Sequence, residues 1–193
     1  MEALNIYFNT QKIGILYFNS HTQEFGLEYT EQWEKEGFPL SPVLGFDKNF
    51  KSQDVKNYIE NLLPEGDGLD KLVLLFQISK SNKYALLEAI GKDTSGALSF
   101  VKDEISKESI FREIAHEELS QRIKQRNNIS IILWDEKPRL CVAGVQEKLP
   151  VCKINGKYGF GEGTLSSTHI LKFDKSNENK YVSFKNITLL FIK

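Results

Sequence analysis

Cysteine, net charge and long apolar runs are all scarce in this sequence. The 25 basic and 26 acidic side chains leave a formal net charge of -1, which gives no overall field to attract nucleic acid or an anionic membrane. No basic segment followed by an apolar one opens the chain, and no apolar stretch approaches the roughly 20 residues that a membrane-spanning helix needs. We therefore expect a cytoplasmic protein with no membrane contact and no direct nucleic-acid binding.

The scarcity of cysteine and histidine argues against a metal centre. The two cysteines, Cys141 and Cys152, are close enough in sequence to face each other across a hairpin. Two thiols in a chain without an export signal are usually reduced, so we favour free structural thiols over a disulfide. His21, His116 and His169 have no partners at metal-ligand spacing. We interpret each of these histidines as a surface residue or as a residue packed in the core.

The first hundred residues contain strand patterns. Apolar and aromatic side chains take every second position in 4–9, 12–18 and 24–30, which predicts an antiparallel meander of three strands. Two prolines in 38–45 predict an extended connection over the surface. Strand character returns at 94–101.

Helical patterns lie between these strands. From Ser52 the apolar residues follow a helical period, and Pro64 predicts the end of that helix. Two further helices are predicted at 67–80 and 82–91. Asn82 is suited to cap the last of them and Gly91 to take a left-handed conformation at its end. We expect the leucines of both helices to pack against the meander.

A charged stretch of mixed sign, 102–128, predicts a solvated helix with Leu119 and Ile123 as its buried stripe. A boundary between two units is expected within it. This gives a first unit at 1–105, a helical connection at 106–128 and a second unit at 129–193.

The second unit is predicted to be a small antiparallel sheet. Asn155-Gly156 lies between two strand-like runs, which is the strongest short signal for a tight hairpin. The run "THILKFD" adds a strand that contains Lys172. Taken together, the patterns predict an α+β protein: an antiparallel sheet packed with helices, followed by this smaller sheet.

One loop in the second unit has features of a phosphate site. Gly144 would let backbone N–H groups approach an anion, and Lys148 and Lys172 could balance its charge. The pattern of a Walker loop is absent. Asp135 and Asp174 could be proposed as aspartates that act in phosphoryl transfer, but aspartates at strand ends are usually solvated turn residues.

Four motifs in order resemble a known family. They are "NLLPEG", "AIGKDTSGALSF", "VAGVQEKLPV" and "GTLSSTHILKF". Together they resemble the HipA family of bacterial toxin kinases, over nearly the whole chain from Leu4 to about Asp174. The resemblance implies that 1–105 is the N-terminal subdomain 1 of these proteins and that 129–193 is a partial kinase N-lobe.

The resemblance also implies site residues, cofactors and partners. The ATP-contacting loop would consist of Ala143, Gly144, Val145, Gln146, Glu147 and Lys148. Lys172 would be the lysine that pairs with the phosphates, as in kinases generally. The implied cofactors are ATP and Mg²⁺, and the implied partner is a small HipB-like DNA-binding antitoxin.

Three departures from the family pattern change what we expect of the chain. Cys141 stands where members carry a serine whose autophosphorylation switches the kinase off. The family's segments with the catalytic and the metal-binding aspartate do not occur in the 193 residues. The run at 179–193 does not continue as the family does and looks like the tail left by a frameshift or early stop. We therefore assign no catalytic residue and expect no phosphoryl transfer by this polypeptide alone.

Three hypotheses remain open at this point. The chain is the truncated N-terminal part of a HipA-like serine/threonine kinase toxin. Alternatively, it is a non-catalytic, antitoxin-like module that binds a separately encoded kinase core or the DNA-binding antitoxin. The third hypothesis is a degraded gene product, in which apolar residues such as Ile131 to Trp134 and Leu189 to Ile192 would be exposed and prone to association.

Overall fold

The computed structural model describes residues 1–92, 94, 98–105, 108–126, 128–135, 137–139, 148–163, 165, 167–173 and 188–191. The chain divides into two compact units, Met1–Ile105 and Ser106–Lys193. Each unit has antiparallel strands, at least one helix and one buried tryptophan, Trp33 in the first and Trp134 in the second. The predicted α+β class is confirmed.

The first unit is built on a four-stranded sheet with the order β3-β2-β1-β4. The strands are β1 Glu2–Phe8, β2 Gln11–Asn19, β3 Glu24–Tyr29 and β4 Leu98–Val101. The first three pair consecutively and antiparallel, which confirms the predicted meander. β4 returns to pair with β1. The alternating pattern places Leu4, Ile6 and Leu16 in the core, where they are at most 1% exposed.

Among the described residues, four helices accompany this sheet. They are α1 Glu31–Glu36, α2 Ser52–Leu62, α3 Asp67–Phe76 and α4 Lys83–Ile90. α2 begins at Ser52 and ends just before Pro64, as predicted, and it buries Val55 and Ile59. Asn82 caps α4 through a side-chain oxygen that accepts a hydrogen bond from the Ala85 N–H. The three predicted helices are therefore present.

The leucines of these helices do not all pack as predicted. Leu86 and Leu87 of α4 are fully buried, and Leu72 of α3 is 1% exposed. Leu74 of α3, in contrast, is 80% exposed. Residues two apart on a helix point in different directions, so one helix face cannot bury both Leu72 and Leu74.

The helix α1 was missed by the sequence patterns. Thr30 begins it, because its side-chain oxygen accepts a hydrogen bond from the Trp33 N–H over 3.2 Å. This places the Trp33 ring in the core, where it is 5% exposed.

The connection at 38–45 also differs from the predicted extended surface segment. It contains turns, and Leu44 within it is fully buried. The Tyr29 hydroxyl donates to the Leu44 carbonyl over 2.6 Å and accepts from the Leu40 N–H over 3.0 Å. One buried phenol therefore holds this connection against the sheet.

Gly91 corrects a further prediction. It has φ -58° and ψ -18°, which is right-handed backbone rather than the left-handed conformation expected at the end of α4. A Cβ at this position would collide with the carbonyl oxygen of Phe100 on β4. Glycine is needed here for close approach between helix and strand, not for a positive φ.

The second unit contains a five-stranded antiparallel sheet with the order β11-β10-β8-β9-β5. Its strands are β5 Ser109–Glu113, β8 Lys148–Ile154, β9 Lys157–Gly163, β10 His169–Lys172 and β11 Thr188–Phe191. β6 Leu133–Trp134 and β7 Lys137–Pro138 form a separate pair. The turn between β8 and β9 has φ 50° at Asn155 and 81° at Gly156, the two positive values of a type I′ turn. The predicted hairpin and the predicted strand with Lys172 are thus confirmed.

The two partners of β8 contact different halves of it. Lys148 to Val151 pair with β10, whereas Cys152 to Ile154 pair with β9. β8 is therefore central in the sheet, and the hairpin and the Lys172 strand meet it in succession along its length.

The segment 106–128 is more than the helical connection that was predicted. It contains the edge strand β5 as well as the helix α5 His116–Lys124. Leu119 and Ile123 are the buried residues of α5, as expected. β5 pairs with β9, so the segment contributes a strand to the second sheet.

The apolar residues near Trp134 are not exposed. Ile131, Ile132 and Trp134 are 0%, 7% and 3% exposed and belong to one core cluster with residues of the sheet. The prediction that 131–134 would be exposed is wrong, because α5 and the sheet close over these side chains. The side chains of Leu189 to Ile192 lie outside the described residues.

Candidate functional site

Lys148 and Lys172 lie directly opposite each other in the second sheet. Lys148 is the first residue of β8 and Lys172 the last of β10, and the two are partners in the antiparallel register. Directly opposite residues share one face, with Cβ atoms about 4.5–5.5 Å apart. Both side chains are half-buried. The arrangement places two positive charges at the same end of neighbouring strands.

The other face of these strands is packed in the core. Leu149, Val151 and Leu171 are at most 2% exposed and belong to the core cluster. Since side chains alternate along a strand, the two lysines lie on the opposite face, together with Ile170. That face therefore combines positive charge at the strand ends with an adjacent apolar side chain.

Most of the predicted ATP-contacting loop lies outside the described residues. This holds for Ala143, Gly144, Val145, Gln146 and Glu147, and also for Cys141 and Asp174. Of the predicted site residues, the described part of the chain brings together Lys148 and Lys172.

The sequence patterns missed an ion pair at Arg139, which precedes that loop by four residues in the sequence. Arg139, whose side chain is 5% exposed, donates from Nη2 to Glu162 Oε1 over 2.9 Å. Lys137 Nζ donates to the same oxygen over 3.0 Å. Both cations, Arg139 foremost, hold the pKa of the Glu162 carboxyl below its usual value. The carboxylate therefore stays charged at neutral pH.

Asp135, considered above as an aspartate that could act in phosphoryl transfer, forms an ion pair with Arg112. Its Oδ1 accepts from Arg112 Nη2 over 3.0 Å, and the same guanidinium forms a two-pronged pair with Glu118 at 2.7 Å. Asp135 has φ 51° in the turn between β6 and β7. It is a turn residue that joins β5, α5 and this turn through Arg112.

The thiol and histidines do not form a metal centre in the part of the chain that the structure describes. Within these ranges no group of three or more His, Cys, Asp or Glu side chains is suited to hold a metal ion. Cys152 is a buried thiol that forms no disulfide, and burial raises its pKa. His21 and His116 are exposed, and His169 is buried in β10 beside Thr168.

No helix among the described residues has both the length and the apolar character required to cross a membrane.

Comparison with known proteins gives one consistent family. A family model described as the HipA N-terminal domain matches residues 4–101. The serine/threonine-protein kinase toxin HipA of Shewanella oneidensis is 41% identical over 187 residues, which cover 95% of this chain and 43% of that protein. A putative kinase of Sinorhizobium fredii, Y4mE, is 24% identical over 184 residues, which cover 89% of this chain and 43% of that protein.

A solved structure agrees with these relatives. The complex of Shewanella oneidensis HipA, HipB and operator DNA contains a chain that matches with a TM-score of 0.74 and 43% identity, covering 91% of this chain and 41% of that one. This chain thus spans less than half the length of the relatives that it matches. The family model covers the first unit almost completely. The chain belongs to the HipA family, whose N-terminal domain forms its first unit.

Proposed function

We propose that the chain is the N-terminal portion of a HipA-like serine/threonine kinase toxin of a toxin-antitoxin system. In this proposal 1–105 is subdomain 1, and 129–193, joined by β5 and α5 from 106–128, is a partial kinase N-lobe. The observation that carries it is the placement of Lys148 directly opposite Lys172 on one face of the second sheet. The family resemblance makes Lys148 the last residue of the ATP-contacting loop and Lys172 the lysine that pairs with the phosphates.

The lysine pair suits a polyphosphate. Two lysines at directly opposite cross-strand positions lie close enough for both to donate charge-assisted hydrogen bonds to one phosphate group. The backbone of the loop from Ala143 to Lys148 would supply further N–H donors to the phosphates.

Mg²⁺ fits the described residues less well than ATP does. It requires carboxylate or carbonyl oxygens, and the described residues contain no cluster of acidic side chains suited to a metal. We therefore expect Mg²⁺ to arrive as the chelate of ATP, and we derive no step through it.

We infer that these 193 residues do not transfer a phosphoryl group by themselves. Transfer needs an aspartate that orients the attacking hydroxyl. The described candidate, Asp135, is held by Arg112, and Asp174 lies outside the described residues. Incubation with labelled ATP, magnesium and a candidate protein acceptor should give no transfer, and robust phosphorylation by the purified chain would contradict this inference.

Nucleotide binding tests the lysine pair directly. The expected result is binding of Mg·ATP to the purified 193-residue chain, weakened about tenfold or more in Lys172→Gln through loss of a charged hydrogen-bond donor. Lys153→Gln is the matched control, because Lys153 is a lysine of β8 whose ammonium lies over the Tyr158 ring, 5.3 Å from its centre. An equal loss in both variants, or no binding by the parent chain, would refute the proposed site.

A second candidate function rests on the first unit. The family model ends at residue 101 and the compact unit at Ile105, and this unit has its own sheet, helices and core. Such a unit could act as a non-catalytic, antitoxin-like module in the cytoplasm that binds a separately encoded kinase core or a HipB-like DNA-binding antitoxin. The structure of HipA with HipB and DNA from Shewanella oneidensis supports the second kind of partner.

Binding experiments distinguish the two candidates. The purified chain would be mixed with a HipB-like antitoxin and, separately, with a HipA-type kinase core, and complexes would be measured by size-exclusion chromatography. A complex without nucleotide binding favours the module. Nucleotide binding that depends on Lys172 favours the kinase portion, and failure of both partners to bind would count against the module.

A further inference from the structure

Thr168 lies directly before β10 and joins it to β8 by two hydrogen bonds. Its backbone N–H donates to the Val151 carbonyl over 3.0 Å. Its side-chain Oγ1 accepts from the Lys153 N–H over 3.1 Å. Lys153 belongs to the half of β8 that pairs with β9 rather than with β10. The Thr168 hydroxyl therefore takes the place of a backbone carbonyl and adds one bond to β8 beyond the end of the β10 ladder.

The Thr168 hydroxyl is also held by the next residue of the chain. Oγ1 lies 2.7 Å from Nδ1 of His169, which is 7% exposed. A hydroxyl has one proton and two acceptor lone pairs, so it can accept from the Lys153 N–H and still bond to the imidazole. A side chain bound at two points stays in one rotamer, and Oγ1 is thus fixed at the position that the Lys153 N–H requires.

Burial alone does not specify the register of β10 against β8. The hydrophobic pattern sets a register where one face of a strand is buried, because a slip by one residue exchanges the two faces. In β10, however, His169, Ile170 and Leu171 are all at most 7% exposed, so both faces are buried. The backbone bonds of a ladder are alike in every register. A bond made by one particular side chain is what distinguishes the observed register from the others.

This register decides where Lys172 lies. In the observed register Lys172 is directly opposite Lys148. Each residue of a strand advances it by about 3.3 Å, so a slip by two residues would move Lys172 about 7 Å along β8. A slip by one residue would turn its side chain to the other face of the sheet. Either change would separate the two lysines that are proposed to bind one phosphate.

We propose that Thr168 is a positioning residue that fixes the register in which Lys172 lies opposite Lys148. It acts through its two bonds to β8, at the end of β10 that is remote from Lys172. The inference rests on the proposed nucleotide site and adds to it a residue that need not touch the nucleotide. Loss of the Thr168 hydroxyl should admit other registers and weaken nucleotide binding, whereas a hydroxyl restored at this position should restore both.

Three variants of the full chain separate the hydroxyl from the rest of the side chain. Thr168→Val keeps the branched shape but has no hydroxyl. Thr168→Ser keeps a hydroxyl on a smaller side chain. Ser167→Ala is the matched control, because it removes a hydroxyl from the neighbouring half-buried residue. The dispersion of the amide signals in nuclear magnetic resonance spectra would show that the second unit of each variant is folded.

The same spectra report the proposed bond and the register separately. Solvent exchange of the Lys153 amide reports the bond to Oγ1, and cross-strand nuclear Overhauser effects between Lys148 and Lys172 report the register. In Thr168→Val we expect several-fold faster exchange of the Lys153 amide and weaker cross-strand signals. Thr168→Ser and Ser167→Ala should match the parent in both measurements.

Parental cross-strand signals in Thr168→Val would overturn the inference, because β10 would then keep its register without the hydroxyl. An equal loss of these signals in Thr168→Ser would also overturn it, since the cause would be altered packing. If Thr168→Val does not fold, Thr168→Ala replaces it and is compared with Thr168→Ser in the same way. Failure of both to fold would mean that the hydroxyl maintains the second unit as a whole, which would overturn a role in positioning.

Mg·ATP affinity, measured on the same variants, separates this inference from the proposed function. Binding that is several-fold weaker in Thr168→Val than in Thr168→Ser and Ser167→Ala supports both. Equal affinity in all variants, together with a changed register in Thr168→Val, overturns the lysine pair as the nucleotide site and leaves the control of register intact. If the parent does not bind ATP, the proposed nucleotide function fails, and the cross-strand signals alone decide the role of Thr168.

Discussion

The backbone N–H of Phe100 donates a hydrogen bond to the Gly91 carbonyl over 2.7 Å, which joins the end of α4 to β4 in the first unit. The same closeness leaves no room for a Cβ at Gly91, where it would meet the Phe100 carbonyl oxygen. Backbone atoms cannot rotate away as a flexible side chain can. The helix and the strand therefore depend on glycine at this contact.

Gly91→Ala should destabilise the first unit by about 1–3 kcal/mol, the usual penalty for overpacking. Unfolding by urea, followed through Trp33 fluorescence in a Trp134→Phe background, would measure the loss. Gly26→Ala is the control, because its Cβ would lie an ordinary 3.7 Å from the Tyr17 Cβ. A parental free energy of unfolding in Gly91→Ala would contradict the close contact.

Tyr84→Phe should leave the first unit as stable as the parent, or more stable by up to about 1 kcal/mol. The Tyr84 hydroxyl is buried without a hydrogen-bond partner among the described residues, and its ring stacks on Phe18 at 5.1 Å. Burial raises the pKa of Tyr84 to about 12, so it is the neutral phenol that is buried. The same fluorescence assay would measure the change.

Tyr29→Phe provides the contrast. The Tyr29 hydroxyl donates to the Leu44 carbonyl and accepts from the Leu40 N–H, so removing it should cost about 1–3 kcal/mol. Equal effects of the two substitutions would contradict the difference in hydrogen bonding.

The second unit should lose stability in acid through Glu118. Its two-pronged pair with Arg112 is the main cause that lowers the pKa of the Glu118 carboxyl in the folded chain. A carboxyl group whose pKa is lower in the folded than in the unfolded chain stabilises the folded state. This stabilisation is fully present above the pKa of the unfolded chain, about 4.3, and is lost as the pH falls through the pKa of the folded chain. The difference in unfolding free energy between the parent and Glu118→Gln should therefore shrink towards pH 3.

Trp134 fluorescence in a Trp33→Phe background would report this unfolding. Arg122 and Arg112 lie 4.8 and 5.9 Å from the Trp134 ring centre, so the probe is close to the ion pair. The exposed Glu117→Gln serves as control, since it removes a carboxylate from the same helical turn. If the difference in unfolding free energy between the parent and Glu118→Gln did not change with pH, the proposed role of the Glu118 charge would be refuted.

Gly156→Ala should destabilise the hairpin by about 1–2 kcal/mol for conformational reasons alone. Gly156 has φ 81°, and a Cβ there would meet nothing within 4 Å. The loss of stability should therefore come from backbone strain alone, whereas at Gly91 it comes from a steric clash with β4. Asn155→Ala, at the other positive φ of the turn, should also destabilise, and a stable Gly156→Ala variant would refute the type I′ assignment.

Local patterns sufficed for much of this fold. Alternation identified the meander, and Asn155-Gly156 identified the hairpin, because both signals act between residues near in sequence. α1 was missed because its six residues contain one apolar side chain, Trp33. β5 was missed because its mixed charges resemble a helix face, although pairing with β9 decides its conformation.

The candidate site depends on contacts that no local pattern encodes. Lys172 could be placed in a strand, but its position opposite Lys148 follows from the register between two strands that are distant in sequence. Arg139 was overlooked because an arginine beside proline gives no sign of burial. Its environment is made by Glu162 and Phe160, more than 20 residues away.

The division of β8 between two partners has a dynamic consequence. The hairpin is bonded to Cys152–Ile154, and β10 to Lys148–Val151. Opening of the hairpin from its turn inwards can therefore proceed without breaking the rungs that hold Lys148 beside Lys172. Amide exchange should then reveal two separate protection levels along a single strand, with the lysine end opening independently of the turn.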